Sequence, residues 1–303
     1  MSLWNRVGGA LVPGPTTATP KFSLFSAVEL EDNVASGHWE GGIQYETDSC
    51  APIDTTQINC PPQDIVKDPS GGNINVFESG AFAVLAGYKC GTVGRPAKEA
   101  FDIAERRLRR NEIRAVEEAF YTGLDGQGNL VYPSLRQAPA PGPGDPAVLT
   151  IDDLTPVAGA LSISGGLAAL EAYAGGFYPS VPVLHIPRGL AVHLAERGLV
   201  NADLNTDTLT STATGTPIVA GGGYGVTGPD GSSPTGDDTW MYITGAMKIM
   251  RSEVFFTPHR DESSASIDRV LNDVTVYAER TYAIEIDCEF VAAVRVLATP
   301  CCP

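Results

Sequence analysis

The fold of this 303-residue chain is decided by residues 95–123, which read RPAKEAFDIAERRLRRNEIRAVEEAFYTG. Pro96 suits the first helical position, where its missing N–H costs nothing, and Gly123 stands where a left-handed C-cap belongs. Between them, apolar residues recur at spacings of three, four or seven, which places them along one side of a helix. They are Phe101, Ala104, Leu108, Ala115, Val116 and Ala119. At about 1.5 Å per residue the predicted helix is roughly 35–40 Å long, enough to span a domain.

The opposite side of this helix carries charges of both signs. Three pairs of opposite charge stand at the i,i+4 spacing that supports an exposed helix surface. The pairs are Asp102 with Arg106, Glu105 with Arg109, and Arg114 with Glu118. Because the arginines are interleaved with glutamates, we interpret this side as solvated and salt-bridged and not as a binding site for a polyanion.

A second periodic stretch, residues 274–296, alternates in hydrophobicity. Every even position is apolar except Arg280, and the odd positions up to Glu289 are mainly Thr, Glu and Asp. Strict alternation is typical of a strand with one buried and one wet face. At about 3.3 Å per residue the run would extend roughly 75 Å, against a usual length of about 20 Å. The sequence therefore predicts either one unusually long, bent strand or a hairpin that turns near residues 278–281.

The composition limits the classes of protein that the chain can represent. A formal net charge of −16 argues against a nucleic-acid-binding surface, because contacts to phosphate need Lys and Arg. No apolar run approaches the roughly 20 residues of a membrane span. The N-terminal stretch MSLWNRVGGALVPGP does not have the pattern of a secretory signal. We therefore expect no membrane partner, and we expect the six cysteines to be reduced.

The first ninety residues show little regular periodicity. Residues 1–42 are rich in Pro, Thr and Gly and predict an extended arm. Four aromatic residues are its expected anchors: Trp4, Phe22, Phe25 and Trp39. Residues 43–90 contain a strand around Tyr45, a polar passage, and a second strand over 76–88. This pattern predicts a long loop on a hairpin stem, and loops of this length are usually functional or disordered.

The sequence after the long helix differs in composition and in the length of its predicted elements. Residues 124–150 include QAPAPGPGDP, which indicates a linker or an exposed loop. The sequence then predicts a helix of small residues, a buried strand, a short helix and three further strands. Their expected ranges are 154–174, 181–187, 188–197, 216–222, 239–243 and 247–256. Such alternation predicts a compact α/β module inserted between the long helix and the terminal strands.

One formal match to a cofactor motif occurs in this module. Gly223, Gly225 and Gly228 satisfy G-x-G-x-x-G after a predicted strand. A dinucleotide site needs that loop to open a helix whose N-terminus faces the pyrophosphate. Here Pro229 and Pro234 follow instead and forbid the helix. We interpret the stretch as an exposed glycine-rich loop.

The histidines and serines, which could act as metal ligands or nucleophiles, do not form a recognisable site pattern. The histidines are scattered, at His38, His185, His193 and His259, and they do not form an H-E-x-x-H pattern. Ser162 and Ser164 lie inside a predicted helix and not on a nucleophile elbow. We therefore predict no catalytic residue, no cofactor-binding residue and no metal ligand.

The cysteines are no more informative. Cys50 and Cys60 could clip the loop, but the chain has no C-x-x-C pair of the kind that supports a zinc site. Cys301 and Cys302 are adjacent near the C-terminal residue of the sequence. The sequence assigns no role to any of these four cysteines.

The order of these parts resembles the major capsid proteins of tailed bacteriophages, which have the Hong Kong 97-type shell fold shared with encapsulins. Three segments carry the resemblance and look most like capsid proteins of actinobacterial phages. They are WEGGIQYETDSC (39–50), RRLRRNEIRAVEEAFYTG (106–123) and VYAERTYAIEIDCEFVAAVRV (276–296).

The resemblance implies an α+β fold with five parts in sequence order. These parts are an N-terminal arm (1–42), an extended loop on a β-hairpin stem (43–90), a peripheral domain with the spine helix (91–150), an axial domain (151–262), and peripheral β-strands with the C-terminus (263–303). Some family members form covalent cross-links between a loop lysine and an asparagine of a neighbour. The loop here offers only Lys67, with Asn59, Asn73 and Asn75 nearby, and we predict no cross-links.

The function that the resemblance implies is structural and not enzymatic. The chain would self-assemble, through hexamers and pentamers, into the icosahedral head that encloses the double-stranded DNA of a tailed phage, without sequence-specific binding. Expected partners are scaffold, portal and decoration proteins, and the expected location is the virion, after assembly in the host cytoplasm. Two alternatives remain open: an encapsulin-like compartment that holds a cargo enzyme, and an acidic α/β hydrolase or sugar-binding protein.

Overall fold

The computed structural model describes ten stretches of the chain, and several predicted features fall outside them. Described are residues 18–34, 39, 41–47, 49–50, 75–91, 97–136, 149–234, 236–258, 267–268 and 273–298. Outside them lie Trp4, His38, Asn59, Cys60, Lys67, Asn73, Pro96, His259, Cys301 and Cys302. The predictions made for these residues stay predictions.

The described stretches contain four helices and fifteen strands. In chain order these are α1 (Leu24–Ala27), β1 (Glu29–Val34), β2 (Ile43–Thr47), β3 (Asn75–Ser79), β4 (Phe82–Gly91), α2 (Ala97–Thr122), β5 (Asp152–Asp153), α3 (Ile163–Phe177), β6 (Val183–Pro187), α4 (Arg188–Glu196), β7 (Val200–Asp203), β8 (Thr208–Ser211), β9 (Ile218–Gly221), β10 (Asp238–Thr244), β11 (Met247–Ser252), β12 (Phe255–Thr257), β13 (Ile267–Asp268), β14 (Asp273–Ile286) and β15 (Val291–Leu297). None of the helices in these stretches is long and apolar enough to span a membrane.

Strand β14 is the axis of a six-stranded sheet. Along one edge it pairs antiparallel with β4, from Asp273 opposite Gly91 to Tyr282 opposite Phe82. Its other edge pairs in turn with β13, β12 and β11, and β1 adds to β11 in parallel. Residues of the predicted arm and of the predicted axial segment therefore both contribute strands to this sheet.

A second sheet has five strands in the order β5-β15-β10-β6-β9. Helices α3 and α4 pack against it around a core of aliphatic side chains from both layers. The buried strand and the short helix predicted from 181–197 are confirmed as β6 and α4.

Helix α2 connects the two sheets. It runs from Ala97 to Thr122 and ends at Gly123, whose φ of 67° is the left-handed C-cap that the sequence predicts. Its N-terminal half packs Phe101 and Leu108 against β14, and its C-terminal half enters a core shared with strands of both sheets. Because that half is enclosed from both sides, Phe120 is fully buried although it lies off the predicted apolar stripe.

The terminal run differs from both predicted alternatives. The alternation itself is confirmed, because Val276, Tyr282 and Ile286 are fully buried while Tyr277 is exposed. However, β14 passes straight through residues 278–281, and the break comes at a 3-10 turn over Asp287–Glu289. Cys288 and the following Glu289 have positive φ, 62° and 46°, which ends the extended conformation.

The break sends the last strand to the other sheet. β15 pairs with β10 and belongs to the five-stranded sheet, whereas β11 and β12 join β14 in the six-stranded one. Each sheet therefore contains strands from more than one of the predicted parts. The division into five parts stays a prediction.

Two further boundaries are corrected. The small-residue helix begins at Ile163 and not at 154, because the Ser162 side chain accepts a hydrogen bond from Gly165 N and caps it. Residues 154–162 form turns and irregular backbone, in which Leu161 bridges to Val296 of β15. The strand predicted over 76–88 is two strands, since the chain breaks between β3 and β4. The hairpin stem is confirmed: β2 and β3 pair from Ile43 opposite Ser79 to Thr47 opposite Asn75.

Candidate functional site

Two short crossings between the sheets, at residues 244–247 and 286–291, lie side by side, and we call them the sheet junction. The crossings are bonded to each other through Asp287 N to Ala246 O at 2.8 Å and Gly245 N to Phe290 O at 2.9 Å. A Cβ atom on Gly245 would lie 2.3 Å from Asp287 O, so only glycine permits this approach.

Three tyrosines from other parts of the chain hold the junction. Tyr45 of the hairpin stem donates its hydroxyl hydrogen to Ile286 O at 3.1 Å and accepts from Ile286 N at 3.2 Å. Tyr178 donates to Asp287 Oδ2 at 2.7 Å and accepts from Ala246 N at 2.8 Å. Burial raises the pKa of Tyr178 to about 12, so its hydroxyl stays protonated.

The third tyrosine follows helix α2. Tyr132 donates to Glu289 Oε1, and burial raises the pKa of both side chains. The junction thus receives one hydroxyl from the stem, one from the segment after α2 and one from the residue that caps α3. Sequence reasoning missed all three tyrosines, because each lies alone in its segment.

A disulfide adds a covalent anchor at the same place. Cys50 is joined to Cys288, with their Cα atoms 5.8 Å apart and a separation of 238 positions in sequence. The expectation of six reduced cysteines is therefore wrong for this pair. Cys50 is also not paired with Cys60, which lies outside the described residues.

The cysteine pair also resembles a metal site in its residue types. Donor atoms of Cys50, Asp287 and Cys288 lie within 4.8 Å of one another. Because the two sulfur atoms are bonded to each other, neither is a thiolate, and thiolate is the form that binds zinc. The arrangement fits a cross-link and not a metal centre.

A buried charge network fixes α2 on the six-stranded sheet. Glu112 of α2 accepts from Tyr282 at 2.8 Å, from Arg280 at 3.3 Å and from Arg251 at 3.3 Å. Arg251 also pairs with Asp32 of β1 at 2.6 Å, and this hydrogen bond lowers the pKa of Asp32. Arg280, the one polar residue among the even positions of the terminal run, thus has its partner. Because a buried charge needs a partner, an arginine at an otherwise apolar position of the strand indicates that a carboxylate lies next to it.

A second buried carboxylate joins α2 to the glycine-rich loop. Glu117 accepts from Leu24 N at 3.0 Å and from Gly223 N at 3.0 Å, and burial raises its pKa. A Cβ on Gly223 would lie 2.5 Å from Arg114 O and 2.6 Å from Glu118 N, both backbone atoms of α2. The loop is therefore packed on the helix at this point, not exposed along its whole length as predicted.

The rest of the glycine motif also serves packing. Gly228 lies against Trp240, where a Cβ would approach the indole ring to 2.7 Å. In the described residues the motif is followed by turns that lead to β10, whereas a dinucleotide site needs a helix N-terminus there.

The two histidines in the described stretches have separate partners. His185 on β6 is fully buried, with Nδ1 2.9 Å from the Tyr224 hydroxyl and Nε2 3.0 Å from Thr244 Oγ1. Burial lowers the pKa of His185 to about 3, so the ring is neutral at physiological pH. His193 on α4 lies 3.4 Å from Glu196. Ser162, which the sequence places inside a helix, is instead the N-cap of α3.

The charged side of α2 is partly as predicted. Glu105 and Arg109 form the expected i,i+4 ion pair at 2.9 Å. Arg107 instead donates to Gly87 O at 2.8 Å and stacks over Tyr88, 4.9 Å from the ring centroid. The other two pairs stay predictions.

The face of the six-stranded sheet turned away from α2 carries an apolar patch, which we call the open sheet face: Leu85, Phe255 and Tyr277. Leu85 and Phe255 flank Glu279 from the two neighbouring strands, and Tyr277 lies two residues along β14. The three side chains are 51%, 40% and 42% exposed. On the opposite face of the same strands, Val276 and Ala278 are completely covered by α2.

Comparison with known proteins gave matches in structure alone. No family model matches the chain, and no curated protein does. The structure is similar to the capsid of an empty GTA particle, with a TM-score of 0.52 and 10% identity, over 95% of this chain and 100% of that one. It is also similar to the capsid of a native GTA particle, with a TM-score of 0.52 and 15% identity, over 97% and 98%. A chain from Mycobacterium phage Ogopogo follows, with a TM-score of 0.47, 15% identity, and 96% and 97% coverage.

The chain has the α+β fold of Hong Kong 97-type capsid subunits, as the sequence predicts. At these identities the comparison establishes the fold, and function is a separate question.

Proposed function

We propose that this chain is the subunit of a self-assembling icosahedral shell, the head that encloses the double-stranded DNA of a tailed phage. The observation that carries the proposal is the fold match to capsid subunits, which extends over nearly the whole of both chains. A match of that extent supports the interpretation of the whole chain as one shell subunit. The expectation of an actinobacterial phage stays a prediction.

The open sheet face supports a role in assembly. Leu85, Phe255 and Tyr277 expose apolar area on one face of the sheet, and on the other face of the same strands Val276 and Ala278 pack against α2. Three large apolar side chains clustered on one exposed sheet face support a contact with another molecule. In a shell built from one kind of subunit, a neighbouring copy would cover it.

We propose further that the protein is not an enzyme. The buried ionisable groups described above connect structural elements: Glu112 joins α2 to the six-stranded sheet, Glu117 joins α2 to the glycine-rich loop, and His185 joins β6 to β10 through Thr244. Each of these groups is satisfied by protein partners, which is the pattern of a scaffold and not of a site awaiting substrate.

Partners and location follow from the same proposal. Copies of the chain would meet in hexamers and pentamers, with scaffold, portal and decoration proteins as further partners. Assembly would take place in the host cytoplasm, and the mature location would be the virion. The net charge of −16 suits a wall that encloses DNA without binding it tightly.

The test is sedimentation of the purified full-length protein, followed by protein and nucleic-acid analysis of the fast fraction. The proposal predicts fast-sedimenting particles that, when taken from infected cells, contain double-stranded DNA. Particles that contain a cargo enzyme instead of DNA would indicate an encapsulin-like compartment. A monomer or small oligomer at every concentration would contradict both and favour the hydrolase or sugar-binding alternative.

A further inference from the structure

The Cys50–Cys288 disulfide joins the segment that follows β2 to the sheet junction. Cys288 lies in the 3-10 turn at the sheet junction, where its φ of 62° turns the chain from one sheet to the other. Cys50 lies three residues beyond Thr47, the last residue of β2, where the sequence predicts that the long loop begins. The Cα separation of 5.8 Å lies within the range that disulfides require.

The surroundings allow small molecules to reach the pair. Cys50, Cys288 and Asp287 are all half-buried, whereas Ile286 and Val291 on either side of the turn are buried. The hydroxyl of Thr47 lies 3.7 Å from Cys50 Sγ and 3.9 Å from Cys288 Sγ. A sulfur pair at such a position is accessible to exchange, unlike one enclosed in a core.

The stem has a second, non-covalent anchor on the same segment. The Tyr45 hydroxyl bonds both the N–H and the carbonyl of Ile286. β2 is therefore held at the junction by hydrogen bonds whether or not the sulfur atoms are joined. The disulfide adds a constraint only at the end of β2, where the loop begins.

We propose that Cys50 and Cys288 form a thiol–disulfide exchange site that locks the base of the loop to the sheet junction in oxidising surroundings and releases it in reducing ones. The co-reactant is a small disulfide of the glutathione class. The proposal concerns the subunit and does not depend on the function proposed above.

The chemistry has two steps. One cysteine thiolate attacks the sulfur–sulfur bond of glutathione disulfide, forms a mixed disulfide and expels a glutathione thiolate. The other cysteine thiolate then attacks the protein sulfur of the mixed disulfide and expels the second glutathione thiolate. Two protein thiols are oxidised, one glutathione disulfide is reduced to two glutathione molecules, and the two protons of the cysteine thiols pass to the expelled thiolates through solvent. Excess glutathione reverses both steps.

The direct test is differential alkylation of the full chain across a series of glutathione to glutathione disulfide ratios, with peptide mass spectrometry of each cysteine. Cys50 and Cys288 should be protected together, with one midpoint, and a peptide pair that links them should appear. Cys60→Ser, which removes the other cysteine of the loop, should leave this joint titration unchanged. In Cys288→Ser the Cys50 thiol should lose its intramolecular partner and show at most a mixed disulfide.

The structural consequence has its own readout, hydrogen–deuterium exchange of the amides at the end of β2 beside Cys50 (Glu46 and Thr47). Reduction of the wild-type protein should speed exchange there several-fold. Cys288→Ser should exchange at the fast rate from the start and should not respond to the reductant. This variant removes no buried core residue, so its fold can be checked by the unchanged exchange of β14.

Four outcomes would overturn the proposal. They are a link from Cys50 to Cys60, a link between two copies of the chain, equal β2 exchange in the oxidised and reduced proteins, and a stoichiometric zinc ion on the reduced protein that shields Cys50 and Cys288 from alkylation.

Discussion

Replacement of Gly223 by alanine tests how the glycine-rich loop is packed on the long helix. The added Cβ would lie 2.5 Å from Arg114 O and 2.6 Å from Glu118 N. Both are backbone atoms inside α2, so neither can rotate away as a flexible side chain could. The loop must move outward by nearly 1 Å before the contact reaches an ordinary van der Waals distance of 3.4 Å.

The cost has two parts. Overpacking of this kind costs about 1–3 kcal/mol. The outward movement also stretches the 3.0 Å hydrogen bond from Gly223 N to the buried Glu117 carboxyl, which contributes about 1 kcal/mol or more. We expect Gly223→Ala to lower the free energy of unfolding by about 3 kcal/mol.

The matched control is the neighbouring glycine. A Cβ on Gly222 would meet nothing closer than Glu117 Oε2 at 3.9 Å, so Gly222→Ala should change the free energy of unfolding by less than about 0.5 kcal/mol. The assay is urea unfolding of the unassembled subunit, followed by tryptophan fluorescence. Equal stabilities of the two variants would refute the packing of the loop on α2.

Three further predictions concern the core, the surface and pH. Ile286→Asp should cost several kcal/mol, because it buries an unpaired carboxylate, whereas Glu285→Lys on the wetter face of β14 should be mild; equal urea midpoints would contradict the alternation. Leu85→Asp on the open sheet face should leave the thermal unfolding of the subunit within about 0.5 kcal/mol of wild type but abolish particle formation; normal particles would show that this face is not a contact. The pKa of His185 is lowered from 6.5 to about 3, so the unfolded chain binds a proton that the folded one does not, and stability falls as the pH drops below 6.5. Between pH 7 and pH 4 the wild type should lose about 3 kcal/mol more than His185→Gln, and parallel pH profiles of the two proteins would count against the buried neutral ring.

The parts of the fold that sequence predicted well are those with local periodicity. The helix from Ala97 to Thr122, its C-cap at Gly123 and the buried parity of β14 all follow from spacing within one segment. The break after Ile286 was not predictable in this way. It depends on positive φ at Cys288 and Glu289, and neither cysteine nor glutamate favours the left-handed region.

The junction was hidden from sequence reasoning because its contacts are long-range. Cys50 and Cys288 are 238 residues apart, and Tyr45 bonds a residue 241 positions away. The spacing of apolar residues predicts only one buried side for the C-terminal half of α2. A pattern within one segment cannot show that a second sheet covers the other side. By contrast, Arg280 in an apolar register and the glycine at 223 were visible irregularities, and both mark contacts with α2.

Electron cryo-microscopy of the protein after assembly shows directly whether this chain forms a shell. We predict closed icosahedral particles built from pentamers and hexamers of this chain, in which a neighbouring copy covers Leu85, Phe255 and Tyr277. Only monomers or small oligomers, with these three side chains still exposed, would contradict it.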